Sequence, residues 1–261
     1  MSFAIPAPAQ TTIPVVGGLP FPVRRIYCVG RNYAAHAREM GYDPDREPPF
    51  FFMKPADAIV PTDSVVPYPV ATADYHHEIE MVVALAKGGR DIPVEQALEL
   101  VYGYAVGLDM TRRDLQAQAK KMGRPWDMGK GFDHSAPCAP IVPVAQAGHP
   151  DQGAVWLKVN GEVRQQGDLA DLIWNVAETI SYLSGLVELF PGDLIFTGTP
   201  EAWGRWSRVT SCKPCRWLAR TQHHHRLKVP WQGRPSGFWA PWNGPFPGAP
   251  AWFGGRETKF S

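Results

Sequence analysis

The chain has 261 residues, enough for one sizeable domain whose core needs no staples. Hydrophobic residues make up 44% and charged residues 20%, as in ordinary globular proteins, and no apolar run reaches the about 20 residues that cross a bilayer. The net charge of +1 hides an imbalance: residues 1–201 hold 24 acids against 16 Lys and Arg, whereas residues 202–261 hold 10 Lys and Arg, a single acid and seven of the ten tryptophans.

The elements follow in chain order. Residues 1–23 read as a Pro-rich lead-in, without the basic region and long apolar core of a signal peptide. RRIYCVGRNY (24–33) predicts a strand running into a Gly turn. YAAHAREMG (33–41) has helical residues and stops at Gly. PPFFFMKPADAIV (48–60) is an aromatic strand between prolines, and HEIEMVVALAKGGRDI (77–92) a long strand and turn. PVEQALELVYGYAVGLDMT (93–111) predicts a helix and then a strand ending at Asp109, followed by a helix over 112–123. VWLKVNGEVRQQG (155–167) is a strand pair around Asn-Gly, a strong hairpin signal. DLIWNVAETISYLSGLVEL (171–189) predicts an amphipathic helix, and PGDLIFTGTP (191–200) a strand ending in a polar turn. The pattern is α+β and strand-rich, without regular βαβ alternation.

HHEIEMVVAL places Glu78 and Glu80 at the head of an apolar run. Side chains at i and i+2 of a strand share a face, so the two carboxylates project together, away from Ile79 and Met81. Like charges that close repel unless a cation lies between them. A hard divalent ion with oxygen ligands fits; an exposed edge with solvated acids is the plainer alternative. Asp109, an acid closing the apolar strand YAVGLDM, adds a third oxygen donor. His36 and Glu39 stand at i, i+3 on the short helix and share a face. A His held by a carboxylate can take a proton from water, although such pairs are also common on surfaces.

The motifs YCVGRNYAAHAREMG, PPFFFMKPADAIV, DYHHEIEMVVAL, YGYAVGLDMTRRDLQ, KKMGRPWDMGKGFDHSAPCAP, VWLKVNGEVRQQGDLADLIW and PGDLIFTGTP lie in order over residues 24 to about 201. In them the chain resembles the fumarylacetoacetate hydrolase family, above all its smaller members, the fumarylpyruvate hydrolases and acylpyruvases. The resemblance implies a mixed β roll, usually homodimeric, and a Mg²⁺ or Mn²⁺ site made by Glu78, Glu80 and Asp109. It implies that His36 and Glu39 form a catalytic dyad, with Lys130 stabilising developing charge. Lys54, Arg113, Gln116 and Thr199 match positions that line the family's pocket, and Arg31 lies beside the dyad. The implied reaction is hydrolysis of a C–C bond in a 2,4-dioxo acid such as fumarylpyruvate. Oxaloacetate decarboxylation, or decarboxylation or isomerisation of hydroxymuconate-type diacids, is the alternative on the same site. Four cysteines set no disulfide framework, so a reducing cytoplasm is expected, with a small-molecule acid as partner and neither membrane nor nucleic acid.

The likeness stops after Glu201. With synonymous codons free, loss of one G from a Gly codon there turns a frame encoding GVGPVVAGDKLQAVSVAG into AWGRWSRVTSCKPCRWLA, which is residues 202–219. The first of these continues the family pattern. Three segments are therefore expected: the lead-in, a catalytic domain over 24–201, and an out-of-frame Trp/Arg/Pro-rich tail over 202–261. In that case the CKPC and His-rich composition of the tail (Cys212–Cys215, His223–His225) is an accident of translation rather than a zinc site, and its basic, Trp-rich character is no nucleic-acid surface. A catalytically impaired product is the second reading of the whole chain.

Overall fold

The computed structural model describes residues 3–33, 47–61, 64–159 and 161–200, together with the backbone of two later strands. A small antiparallel pair, β1 (Thr12–Ile13) and β2 (Phe21–Pro22), opens the fold. The main sheet takes β3 (Arg25–Gly30), β4 (Phe50–Lys54) and β5 (Ile59–Pro61) from the first part of the chain. A second sheet starts with β6 (Val66–Pro67), and β7 (Tyr75–His76) leads into the central strand β8 (Ile79–Leu85). Its neighbour β9 (Val101–Leu108) is followed by β10 (Thr111–Arg112), β11 (Ala136–Cys138) and β12 (Val142–Pro143). The hairpin β13 (Ala154–Val159) and β14 (Glu162–Asp168) precedes β15 (Asp193–Phe196), β16 (Cys215–Arg220) and β17 (Pro230–Gln232).

The main sheet runs β4-β3-β15-β8-β9-β11-β5, with β12 on β9, and is mixed: β15 is parallel to β3 and antiparallel to β8. The second sheet runs β14-β13-β16-β17-β6. The architecture is strand-rich α+β with a curled mixed sheet, as the sequence predicts.

Period-2 alternation explains why the main sheet is buried on both faces. Tyr27, Val29, Ile79, Met81, Val83, Leu85 and Ile195 enter one core, beside Val155 and Leu157 of the second sheet and Ile180 and Leu183 of the helix Val176–Leu186. Ile26, Cys28, Val82, Ala84, Leu194 and Phe196 enter the other, which Ile13, Val15, Phe21 and Val23 help to close. Residues 12–23 thus contribute four side chains to the core while Gly17 to Pro20 stay exposed.

Differences from the predicted boundaries have local causes. The last helix begins at Val176 rather than near Asp171, because Asn175 caps it. The Asn175 side chain accepts from the Glu178 N–H at 3.0 Å, and the Glu178 carboxylate accepts from the Asn175 N–H at 3.1 Å. The strand predicted from His77 starts at Ile79. The helix predicted over 33–41 lies outside the described residues.

One buried knot borders that segment. The Asn32 side chain donates to the carbonyls of Trp174 (2.9 Å) and Thr197 (2.8 Å) and accepts from the Trp174 N–H at 2.7 Å. The indole N–H of the same Trp174 donates to the carbonyl of Glu47 at 3.2 Å.

Candidate active site

The site forms where β8 and β9 open together. Ile79 faces Leu108 and Glu80 faces Gly107 in the antiparallel register. One step outward, the Asp109 N–H donates to the Glu78 carbonyl at 2.8 Å. This register brings Glu78, Glu80 and Asp109 together, with one carboxylate oxygen of each within 4.8 Å of the others. All three are buried, so the exposed-edge alternative does not describe them. Gly107 has no side chain because a Cβ there would meet Phe196 Cε1 at 2.6 Å and Val82 Cγ2 at 2.7 Å.

Three cations enclose the acids. Lys130 closes the short helix Asp127–Lys130 and is 2% exposed. Its Nζ donates to Glu78 Oε2 and to Asp109 Oδ2, each at 2.6 Å. Lys54, at the end of β4, donates to the carbonyls of Met110 (3.1 Å) and Lys130. Its Nζ also forms an ion pair with Asp109 Oδ1 at 2.8 Å, an oxygen that accepts no hydrogen bond among the described residues. Arg113 opens the helix Arg113–Lys121 and donates to Glu78 Oε1 at 2.5 Å and to Gln116 Oε1 at 2.7 Å. Asp114 in its first turn and Lys120 and Lys121 in its last suit the helix dipole.

The glutamates differ electrostatically. Burial pushes the Glu78 carboxyl up, but Lys130 and Arg113 outweigh it and hold the group down at about 2. Burial, then Asp109 and Glu78, push Glu80 well above the usual carboxylate range; the Gly198 N–H on its Oε2, at 2.8 Å, offsets only part of this. Burial lowers the Lys130 ammonium, and Asp109 and Glu78 more than restore it, so its pKa is raised.

A divalent ion fits this donor set on two grounds. Three hard oxygen donors converge, and Asp109 Oδ1, although paired with Lys54, accepts no hydrogen bond among the described residues. Among the described residues Glu80 makes no cation contact like those of its two neighbours, and it gains a partner if an ion binds.

The remaining expected residues divide clearly. Gln116 is buried and joined to the cluster through Arg113. Thr199 is half-buried in the turn after β15 and accepts from the Gln165 amide at 3.0 Å. Arg31 is exposed, at φ +55°, and its charge is felt by Lys120. His36 and Glu39 lie outside the described residues. The spacing argument did not reach Gln165, which is 1% exposed and bonded to the strand that carries the glutamates. Its one signal is its position on the hairpin motif, between the exposed Arg164 and Gln166.

A model of the fumarylacetoacetate (FAA) hydrolase C-terminal family matches residues 25–239. The chain belongs to the fumarylacetoacetate hydrolase family. Among solved structures of the family, fumarylpyruvate hydrolase from Pseudomonas aeruginosa, in complex with Mn²⁺ and pyruvate, superposes with a TM-score of 0.82 at 54% identity, covering 89% of this chain and 100% of that one. Fumarylpyruvate hydrolase from a Ralstonia species is 48% identical over 162 residues, 62% of this chain and 84% of its own. The mitochondrial oxaloacetate tautomerase of Arabidopsis thaliana is 43% identical over 180 residues, 69% of this chain and 80% of its own. Family members of this likeness therefore carry more than one named activity. Among the described residues, no helix is long and apolar enough to cross a membrane.

Proposed function

We propose that this chain is a divalent-metal-dependent hydrolase that cleaves the C3–C4 bond of a 2,4-dioxo acid, fumarylpyruvate or a related acylpyruvate. The observation that carries this reading is the buried triad Glu78, Glu80 and Asp109 enclosed by Lys54, Lys130 and Arg113. The charges also suit such a substrate. Among the described residues, the three acids in ionised form balance the three cations, so a bound divalent ion that keeps all three ionised leaves an excess of two positive charges. A dianionic substrate cancels that excess, which a buried site strongly favours.

Glu78, Glu80 and Asp109 would hold Mg²⁺ or Mn²⁺, which supplies Lewis-acid polarisation of the substrate's oxygens. Water adds to C4, and the expected dyad of His36 and Glu39 takes its proton. The C3–C4 bond breaks, its electrons pass to the pyruvate enolate, and C3 is then protonated; fumarylpyruvate and water give fumarate and pyruvate. Lys130 stabilises the charge developing on the enolate oxygen, which is where a pre-placed cation contributes most. Lys54, Arg113, Gln116 and Thr199, with Arg31 at the edge, orient the carboxylates.

The kinship with an oxaloacetate tautomerase favours a second reading, enolisation or decarboxylation of oxaloacetate without an activated water. One assay separates the two. Loss of the ultraviolet enol absorbance of fumarylpyruvate is followed with Mn²⁺ or Mg²⁺ and then with excess EDTA, and oxaloacetate is tested in parallel. Turnover of fumarylpyruvate that EDTA abolishes is expected. A folded sample that converts only oxaloacetate would overturn the hydrolase reading.

For residues 202–261 we propose a one-base frameshift near codon 202, although the family model runs on to residue 239. The curated relatives match only 62–69% of this chain, although they match 80–84% of themselves. The backbone at Cys215–Arg220 pairs with β13 as a strand. Sequencing the source gene across the junction tests this, and the same uninterrupted frame in an independent functional clone would refute it. Comparing the chain with its restored-frame counterpart then measures what the tail costs in activity.

A further inference from the structure

Gln165 has a place in the structure that its surface hairpin does not suggest. Its side chain leaves the second sheet and is almost wholly buried against the main one. Oε1 accepts from the Ile79 N–H at 2.9 Å and lies 3.0 Å from His77 Nδ1. The amide nitrogen donates to Thr199 Oγ1 at 3.0 Å and to the Pro200 carbonyl at 3.2 Å.

These partners fix the orientation of the amide. A backbone N–H can only donate, so the atom facing Ile79 is the oxygen. A backbone carbonyl can only accept, so the atom facing Pro200 is the nitrogen. His77 Nδ1 then carries its proton toward Oε1, a tautomer assigned from the partner. Both lone-pair positions and both N–H groups are used, so Gln165 has one orientation only.

The partners are also a selective set. His77 and Ile79 flank Glu78. Thr199 and Pro200 follow Gly198, whose N–H holds Glu80. One side chain thus joins the peptide that presents Glu78 to the turn that carries Thr199 and secures Glu80. We propose that Gln165 is a positioning residue that sets the register between the carboxylate strand and the Thr199 turn. It acts through other residues, and its effect on catalysis rests on the metal and substrate reading above.

Two substitutions separate its two arms. Gln165→Met keeps the length and removes all four bonds. Gln165→Glu keeps the acceptors that face Ile79 and His77, but turns an oxygen toward the Pro200 carbonyl. Each full-length variant is checked by circular dichroism. Mn²⁺ affinity is then read without substrate, from the electron paramagnetic resonance signal of free Mn²⁺, and kcat and KM for fumarylpyruvate are read separately. Gln165→Met should weaken Mn²⁺ binding about tenfold, the usual effect of losing an outer partner of a ligand, and should raise KM. Gln165→Glu should hold Mn²⁺ within about twofold of the unmodified chain, as expected when that arm is kept, while KM rises.

A folded Gln165→Met variant with unchanged Mn²⁺ affinity and unchanged KM overturns the proposal. If that variant does not fold, Gln165→Glu decides: an unchanged KM overturns it, and a raised KM with retained Mn²⁺ affinity supports it. An unmodified chain that takes up no Mn²⁺ overturns the site reading itself, a result distinct from either.

Discussion

The N–H of Asp109 donates to the carbonyl of Glu78 across the open end of β8 and β9, so two of the three acids are joined through their backbones. Their carboxylates are therefore positioned one residue beyond the paired strands, by a backbone bond that continues the ladder. Asp109→Asn leaves this bond in place and removes one charge. Mn²⁺ affinity should fall about 100-fold or more, beyond the effect of losing an outer partner, with little change in far-ultraviolet circular dichroism. Titration of Mn²⁺ by calorimetry checks it; unchanged affinity would remove Asp109 from the donor set.

Lys130 bridges Glu78 and Asp109 in the same cluster. Lys130→Met leaves two buried carboxylates short of a partner and should cost about 3–5 kcal/mol, as for other broken buried pairs. Turnover should fall about 100-fold or more if this ammonium faces the developing enolate charge. Added Mn²⁺ should raise the melting temperature of the variant more than that of the unmodified chain, because it supplies the missing positive charge. Parallel melting curves with and without Mn²⁺ read this directly.

Gly129 precedes Lys130 and lies against the neighbouring helix. A Cβ there would meet the Gln116 backbone nitrogen at 2.9 Å and its Cα at 3.1 Å. Gly129→Ala should push the two helices apart at about 1–3 kcal/mol, the range for overpacking. The displacement carries Lys130 with it, so kcat should fall in a variant that still folds. A full kcat would mean that the 127–130 turn can shift without moving the ammonium.

Cys28 and Cys138 are both fully buried thiols. Burial pushes Cys138 up from 9.0 to about 12. A raised folded value stabilises below the unfolded one, so this contribution is complete below pH 9 and is lost as pH rises from there toward 12. The slope is about 1.4 kcal/mol per pH unit for one group. Both thiols should resist a thiol reagent at pH 8 and react on unfolding; mass spectrometry of labelled peptides identifies them.

Asn175 and Glu178 form a capping box distant from the acids in the chain. Asn175→Ala should cost about 1 kcal/mol and lower the melting temperature by about 2–4 °C. Turnover at 25 °C should be unaffected, which makes it a control for the site variants.

The sequence carried most of the frame because hydrophobic alternation and turn residues are local signals. Strands β3, β8, β9 and β15 fall within the segments read from pattern alone. The two glutamates were visible as a strained arrangement, since i, i+2 spacing on an apolar strand places like charges side by side. Lys130 and Lys54 were reached only through the family resemblance. Nothing in their spacing shows that they converge on Asp109, because that depends on how distant strands pair. Gln165 was missed for the same reason: its partners lie in segments remote from the hairpin. The sequence suggests His36 and Glu39 as a helical pair, but both lie outside the described residues.

Trp174 gives the neighbouring chain a further property. Asn32 is bound to its main chain and Glu47 to its indole, so two residues fifteen positions apart in the sequence share one anchor. Trp174 thereby acts as a common fastening for β3 and for the approach to β4, and its loss would release both at once.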